Sequence, residues 1–451
     1  MLRRGVLTVS SHPSLGVRDP GAPADASLYG GLSARILSTC DESPPDSSAR
    51  RETDRKEHVH LHDPAQLEAL LARARTHGRI CLDTEFMREK TYWAKLCLVQ
   101  IAVEDECALI DPLAGDDLTP LFSVLADPSV IKIVHAGSQD LEIFYRAAGL
   151  AATPVFDTQI AATVAGFPSQ VGYARLMKDL FDVDIDKSDT FTDWARRPLT
   201  PAQIEYALND VRYLDGAYLE LTARLERDGR ATWLAADMER LSDAASYIVE
   251  PDQQFRRLKR ISSLTRRQLG VLQEVAGWRE REAMRRDLPR RWVIGDETLV
   301  EVARRRPATA AALTDIRGLN PRALGDGGAG VIAAVAAGMA TPEDALPKID
   351  RKPRTVIDVE GVVELMGALL RVRASEHGIA VPLLATRGDL ERLASGQRED
   401  SPLLTGWRKA IVGDDLVALM DGRIGLKVLD GRIQADACVA ETKEPAPADE
   451  A

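Results

Sequence analysis

The sequence predicts an α/β domain, a mixed sheet flanked by helices, followed by two all-α helical domains. Three observations predict it. Between residues 57 and about 165, short apolar runs alternate with helical stretches, the pattern of a sheet covered by helices. From about 171 to 246 the pattern is helical. Beyond 254 helical stretches continue without a convincing strand, and a basic linker, PKIDRKPRT, divides them.

In chain order, DPAQLEALLARARTHG has Asp63 as cap, Pro64 at the first helical position, Leu at helical spacing and Gly78 as a stop. The runs RICLDTEF, KLCLVQIAV and CALIDP are short, partly β-branched and bounded by turn or charged residues, so they read as three strands. LTPLFSVLAD reads as a helix, IKIVHA as a strand, and SQDLEIFYRAAG as a helix closing at Gly149. TPVFDTQ reads as a further strand running into IAATVAGF, and TPAQIEYALNDVRYLDGAYLELTARLERDG as helical. QLGVLQEVAGWREREAMRRD belongs to the first helical domain, and VEGVVELMGALLRVRASEHG, after Asp358, opens the second. The expected boundaries are 57–246, 254–340 and 356–435, with disordered segments at 1–56 and 436–451.

A chain of 451 residues accommodates about three domains, and 45% hydrophobic residues suffice for packed cores. No apolar run reaches the about 18 residues of a membrane span, and the start, MLRRGVLTVSSHPSLGV, lacks the apolar centre of a signal peptide. Cys40, Cys81, Cys97, Cys107 and Cys438 follow no paired spacing, which points to reduced thiols and the cytoplasm. The net charge of −11 is unevenly spread: residues 57–230 hold 17 Lys and Arg against 28 Asp and Glu, and residues 254–338 hold 17 against 9. An acidic block able to gather cations thus adjoins a basic block able to hold a polyanion. Two ordinary solvated surfaces would have the same composition.

Alternate side chains of a strand share a face, so Asp83 and Glu85 of ICLDTEF point the same way. Two crowded carboxylates repel unless a cation lies between them, and hard oxygens suit Mg²⁺ or Mn²⁺. Taken alone, the pair fits a water-facing edge strand equally well. Asp140 lies in the first turn of the helix after IKIVHA, where a helix-dipole partner would also sit. Tyr206 and Asp210 lie one turn apart on IEYALNDVRYL, as on any amphipathic helix with a half-buried Tyr. Jointly, four acids on three elements with a Tyr at fixed offset are what a two-metal centre needs.

These motifs, DTEF at 83–86, HAGSQD ending at Asp140 and Y-x-x-x-D at 206–210, resemble those of the DEDD 3′–5′ exonucleases, tyrosine subclass, which have an RNase H-like fold. DTEFMREKTYWAKLCLVQIA, VFDTQIAA and DKSDTFTDWARRPLTPAQIEYALNDVRYL are similar to segments of the ribonuclease D family, and the two helical blocks resemble HRDC domains. The resemblance implies that Asp83, Glu85, Asp140 and Asp210 coordinate two divalent cations, Mg²⁺ or Mn²⁺, and that Tyr206 orients or helps deprotonate the attacking water. It implies that Phe86 stacks on the 3′-terminal base, although strand alternation sets Phe86 opposite the Glu85 face. It further implies that His135 contacts the terminal ribose or phosphate and Lys187 a phosphate, where a capped structural His fits the sequence about as well and a solvated loop Lys is the commoner case, and that Asp157 supports the site without ligating metal. Arg256, Arg257, Lys259, Arg260, Arg266 and Arg267 form the densest basic cluster, suited to guiding a nucleic-acid backbone toward an acidic pocket.

The expected activity is metal-dependent release of nucleoside 5′-monophosphates from RNA 3′ ends, those of tRNA precursors above all, by a chain that is a monomer and has no membrane partner. A DNA-directed exonuclease of the same fold and a non-catalytic nucleic-acid adaptor are the alternatives. The absence of a GxxxxGK[ST] loop disfavours a helicase fusion, and the presence of all four acids and the Tyr disfavours the adaptor.

Overall fold

A computed structural model describes residues 59–60, 63–185, 192–319, 324, 328–348, 359–399 and 401–438. The segment 1–56 and Lys187 lie outside the described residues, as does the tail beyond 438. The chain opens with β1 (Val59–His60), α1 (Pro64–His77), β2 (Arg79–Met87), β3 (Lys95–Val103) and β4 (Glu106–Ile110). Then follow α2 (Thr119–Leu125), β5 (Ile131–Val134), α3 (Ser138–Ala148), β6 (Val155–Asp157) and α4 (Thr158–Val164). Helices α5 (Tyr173–Phe181), α6 (Pro201–Arg212), α7 (Leu214–Arg227) and α8 (Ala235–Ser242) complete this part.

The capping signals act as expected. Asp63 accepts the Ala65 N–H, and Gly78 closes α1 at φ 76°, a conformation that favours glycine. Thr200 and Gln203 form a reciprocal capping box with Pro201 at the start of α6. The long helix expected over 200–229 is broken at Tyr213 (φ −108°, ψ 1°). Its N–H is drawn to the Tyr173 hydroxyl at 3.3 Å, so α6 and α7 pack as separate helices.

The strands form one mixed sheet in the order β1-β4-β3-β2-β5-β6. β2 lies near its centre, antiparallel to β3 and parallel to β5. β1, paired in parallel with β4, was not expected from the sequence; two residues are too few to carry a period-two signal. Both faces are covered, and the core runs through Leu70, Leu82, Ile101, Leu109, Phe144 and Leu208.

A second core lies around α9 (Arg266–Arg286) and involves α10 (Arg290–Val293), α11 (Asp296–Arg305), α12 (Ala310–Thr314) and α13 (Ala329–Ala340). α9 and α13 pack backbone to backbone: a Cβ on Gly338 would fall 2.5 Å from the Val271 Cα. A third core gathers residues of α14 (Glu360–Glu376), Leu390, Leu403 and Leu416. This last helical unit, expected to be all-α, also carries an antiparallel hairpin of β7 (Ile424–Leu429) and β8 (Arg432–Ala437). Leu426 and Ala435 pack on the third core. β8 extends to Ala437, into residues expected as tail.

Candidate active site

β2 presents Asp83 and Glu85 on one face of the sheet, opposite Gln100 and Leu98 of β3. α3, entered from β5, carries Asp140 in its first turn. α6 crosses the same region and supplies Tyr206 and Asp210. Three of the four acids are raised by others of the set: Asp83 by Asp140, Asp210 and Glu85, Glu85 by Asp210 and Asp140, and Asp210 by Asp140. Three sequence-distant elements therefore bring the four carboxylates together.

For Glu85, Asp210 and Asp83, removal from water is the largest cause and the like charges follow; together they push Glu85 to about 8, Asp210 to about 7 and Asp83 well above the usual carboxylate range. Asp140 is raised by burial first, against the hydrogen bond from Thr84, with Asp157 adding a like charge. No cation figures among these influences. Thr84, facing away from the pair, donates its hydroxyl to Asp140 Oδ1 and ties β2 to α3. Among the described residues, no group of three or more His, Cys, Asp or Glu stands arranged to hold a metal ion. The donors are nevertheless hard oxygens in excess charge, and this chemistry fits divalent Mg²⁺ or Mn²⁺.

The supporting residues are less legible in the sequence. Asp157, 2% exposed, is the N-cap of α4 and accepts from Gln159 and Ile160. It also accepts the N–H groups of Ala136 and Gly137, at 3.1 and 3.0 Å. Ala136 has φ 54°, and a Cβ on Gly137 would lie 2.6 Å from the Val134 side chain. The β5–α3 turn thus requires a strained backbone and a glycine, and Asp157 holds it where it aims Asp140. Asp157→Ala is expected to lower kcat by about 10- to 100-fold and to raise the Mn²⁺ concentration needed for half-maximal rate. An unchanged metal titration would reduce Asp157 to a helix cap.

Tyr173 was not singled out by sequence, since nothing in YARLMKDLF distinguishes it. Its hydroxyl donates to the Asn209 carbonyl at 2.9 Å and accepts from Tyr213, fixing the end of α6 beside Asp210. Trp194, 3% exposed, packs its ring 5.9 Å from that of Tyr206. Arg197 locks this segment in place: it grips Asp111 through both oxygens and the Cys97 and Trp194 carbonyls.

The substrate-side expectations fare differently. Pairing slips between Glu85 and Phe86, which face Leu98 and Leu96, so Cys97 is an extra residue in β3. β2 runs on through Phe86 to Met87. A bulge bends and twists the ladder at that point, and Phe86 remains partly exposed, outside all three cores. His135 is otherwise engaged: Nε2 donates to the Val171 carbonyl at 3.1 Å and Nδ1 meets the Thr158 hydroxyl at 3.0 Å. Its ring packs edge-on against Tyr173. Both ring nitrogens are thus engaged within the fold. In the basic cluster, Arg266 donates to the Glu343 and Leu346 carbonyls. Arg267 donates to those of Gly338, Met339 and Thr341 and serves the end of α13, while Arg266 ties down the segment after it. Arg257, Lys259 and Arg260 are exposed.

Comparison with known proteins then bears on this geometry. The 3′-5′ exonuclease family model matches residues 59–227 and the HRDC domain model residues 268–335. The ribonuclease D of Gluconacetobacter diazotrophicus is 44% identical over 370 residues, covering 82% of this chain and 94% of that protein. The chain belongs to the ribonuclease D family. The ribonuclease D of Granulibacter bethesdensis is also 44% identical, covering 81% of this chain and 93% of its own. The crystal structure of Escherichia coli RNase D, described as an exoribonuclease involved in structured RNA processing, superposes with a TM-score of 0.71. It is 32% identical and covers 81% of this chain and 99% of that one. As a member of the ribonuclease D family, the protein is a 3′–5′ exoribonuclease, and the acidic cluster on β2, α3 and α6 lies within the exonuclease match.

Proposed function

We propose that this ribonuclease D family member trims the 3′ ends of structured RNAs, tRNA precursors above all, by two-metal hydrolysis that releases nucleoside 5′-monophosphates. The observation that carries the reading is the cluster of four carboxylates on β2, α3 and α6, where Asp83, Glu85 and Asp210 are each raised by others of the set, with Tyr206 one turn from Asp210. Asp83, Glu85, Asp140 and Asp210 hold two divalent ions, Mg²⁺ or Mn²⁺. When bound, such ions supply a water of lowered pKa and compensate charge on the phosphate being cleaved. Tyr206, supported by Trp194, orients the attacking water through its hydroxyl. Asp157 and Thr84 hold Asp140 from behind. Phe86, left outside the cores, offers a ring to the terminal base, and stacking of this kind contributes about 1–3 kcal/mol per base.

We take the three hydrophobic cores for three domains and assign backbone guidance to the exposed Arg257, Lys259 and Arg260 of the second. Lys187 is kept as a phosphate contact on the family resemblance alone. Cys81, Cys97 and Cys107 are buried free thiols, in keeping with a reducing cytoplasm, and no described helix is long and apolar enough to cross a membrane. The protein acts as a monomer on this reading.

The test is product analysis on a 3′-extended tRNA and a matched single-stranded DNA, with Mg²⁺, with Mn²⁺ and with EDTA. Stepwise, metal-dependent release of 5′-monophosphates from the RNA, with DNA poorly cut, is expected. Preferential DNA degradation would transfer the site to a deoxynuclease, and binding without cleavage under any metal would leave an adaptor.

A further inference from the structure

β2 leaves the acidic cluster at Met87 and returns as β3 at Lys95. The intervening residues make most of their contacts away from the sheet. Tyr92 is 5% exposed, yet it belongs to the hydrophobic core built around α9. Its hydroxyl donates to Glu280 Oε1, on a side chain with no exposure at all. The same oxygen accepts from Arg290 at 2.8 Å, and the Arg290 guanidinium lies 5.5 Å from the Tyr92 ring centroid. The N–H groups of Tyr92 and Trp93 both donate to Asp287 Oδ1, at 3.1 and 3.0 Å. Asp287 ends α9 in the left-handed conformation, φ 49°.

The other side of this strap grips α3. Arg88 forms a two-pronged pair with Glu142, at 3.1 and 3.2 Å, and its Nε reaches the Tyr92 carbonyl at 3.1 Å. One turn further along α3, the Arg146 guanidinium lies 3.1 Å from the Trp93 ring centroid. The strap therefore touches the end of β2, the helix α3 and the C-terminus of α9. The first two carry Asp83, Glu85 and Asp140.

We propose that residues 88–94 are a brace through which the first helical domain holds the two acid-bearing elements in register, making Tyr92, Trp93 and Asp287 positioning residues for catalysis. The inference rests on the reading of the acidic cluster as a metal centre. Glu280 is a fully buried carboxylate, and loss of one of its partners is felt strongly, so the Tyr92 hydroxyl matters to docking of the strap. The helical domain on this view contributes geometry to the active site as well as surface to the RNA. Linkage makes the effect reciprocal: an ion bound between β2 and α3 also favours the docked strap.

The test uses the full chain carrying Tyr92→Phe or Asp287→Ala. It follows kcat and KM on a 3′-extended tRNA, Mn²⁺ affinity by calorimetry, and tRNA binding in EDTA. Both variants are expected to lose about tenfold or more in kcat and in Mn²⁺ affinity, the size seen when support behind a ligand is removed. KM and the EDTA binding constant are expected to stay within about twofold. A raised KM with kcat and Mn²⁺ affinity unchanged would overturn the brace and leave the helical domain a binding surface. Tyr92→Phe removes only one hydroxyl, so it decides the question even if Asp287→Ala fails to fold. If the unaltered chain binds no Mn²⁺ and cleaves nothing, the metal-centre reading fails and the brace with it, a result distinct from selective loss in the variants.

Discussion

Asp83→Asn is expected to abolish RNA cleavage while the protein stays folded. The substitution keeps the shape of the side chain and removes one hard anionic donor from a site where two ions need several. A loss of at least ~10³-fold in single-turnover rate corresponds to about 4 kcal/mol of transition-state stabilisation, within reach of a disrupted metal centre. The fold should not suffer, because Asp83 is held up in pKa by its surroundings and by Asp140, Asp210 and Glu85. Removing its charge relieves that repulsion. In EDTA the variant should unfold at the same or a higher denaturant concentration than the unaltered chain. Release of 5′-monophosphate in Mg²⁺ is the measurement, and a near-normal rate for Asp83→Asn would sink the metal assignment.

Metal-free protein is expected to become less stable as pH rises from about 4 to 8, and Mn²⁺ should restore it. The sign follows from the direction of the shifts. Glu85 moves from 4.5 to about 8 and Asp210 from 3.8 to about 7, so the folded chain binds these protons more tightly than the unfolded one. Below the unfolded values both states are protonated and nothing is lost. Between the two values the unfolded chain gives up its protons and the folded chain keeps them, which penalises folding increasingly with pH. Above about 8 the penalty is complete. Each pKa unit corresponds to about 1.4 kcal/mol. The comparison is the first denaturant transition, in EDTA at pH 5 and pH 8, of the unaltered chain and of a Glu85→Gln, Asp210→Asn double variant. The gap between them should widen at pH 8 and close with Mn²⁺ in the unaltered chain. A gap independent of pH would mean that the carboxylates are not crowded as described.

Much of the candidate site was legible because its signals are local. Asp83 and Glu85 are related by strand period, Tyr206 and Asp210 by helical period, and Asp140 by its place after a strand. The cap at Asp63 was legible for the same reason. The helix break at Tyr213 was not, because it depends on a hydroxyl 40 residues earlier in the chain. Arg266 and Arg267 read as free positive charge, yet Arg267 closes a helix and Arg266 holds the segment after it, more than 70 residues away. The sequence left His135 open between a ligand contact and a capped structural residue, because it does not reveal that Val171 and Thr158 engage both its nitrogens.

The sequence by itself determined the alternation of strands and helices, the identity and spacing of the four acids and Tyr206, and the contrast between an acidic and a basic block. These follow from side-chain type and from backbone period, which act over a few residues. Only the tertiary structure decided that the acids on β2, α3 and α6 share one site, that Asp157 holds the turn aiming Asp140, and that Tyr92 leaves the sheet to join another core. Hydrogen bonds and close packing join residues by their distance in space, and no period in the chain encodes that distance.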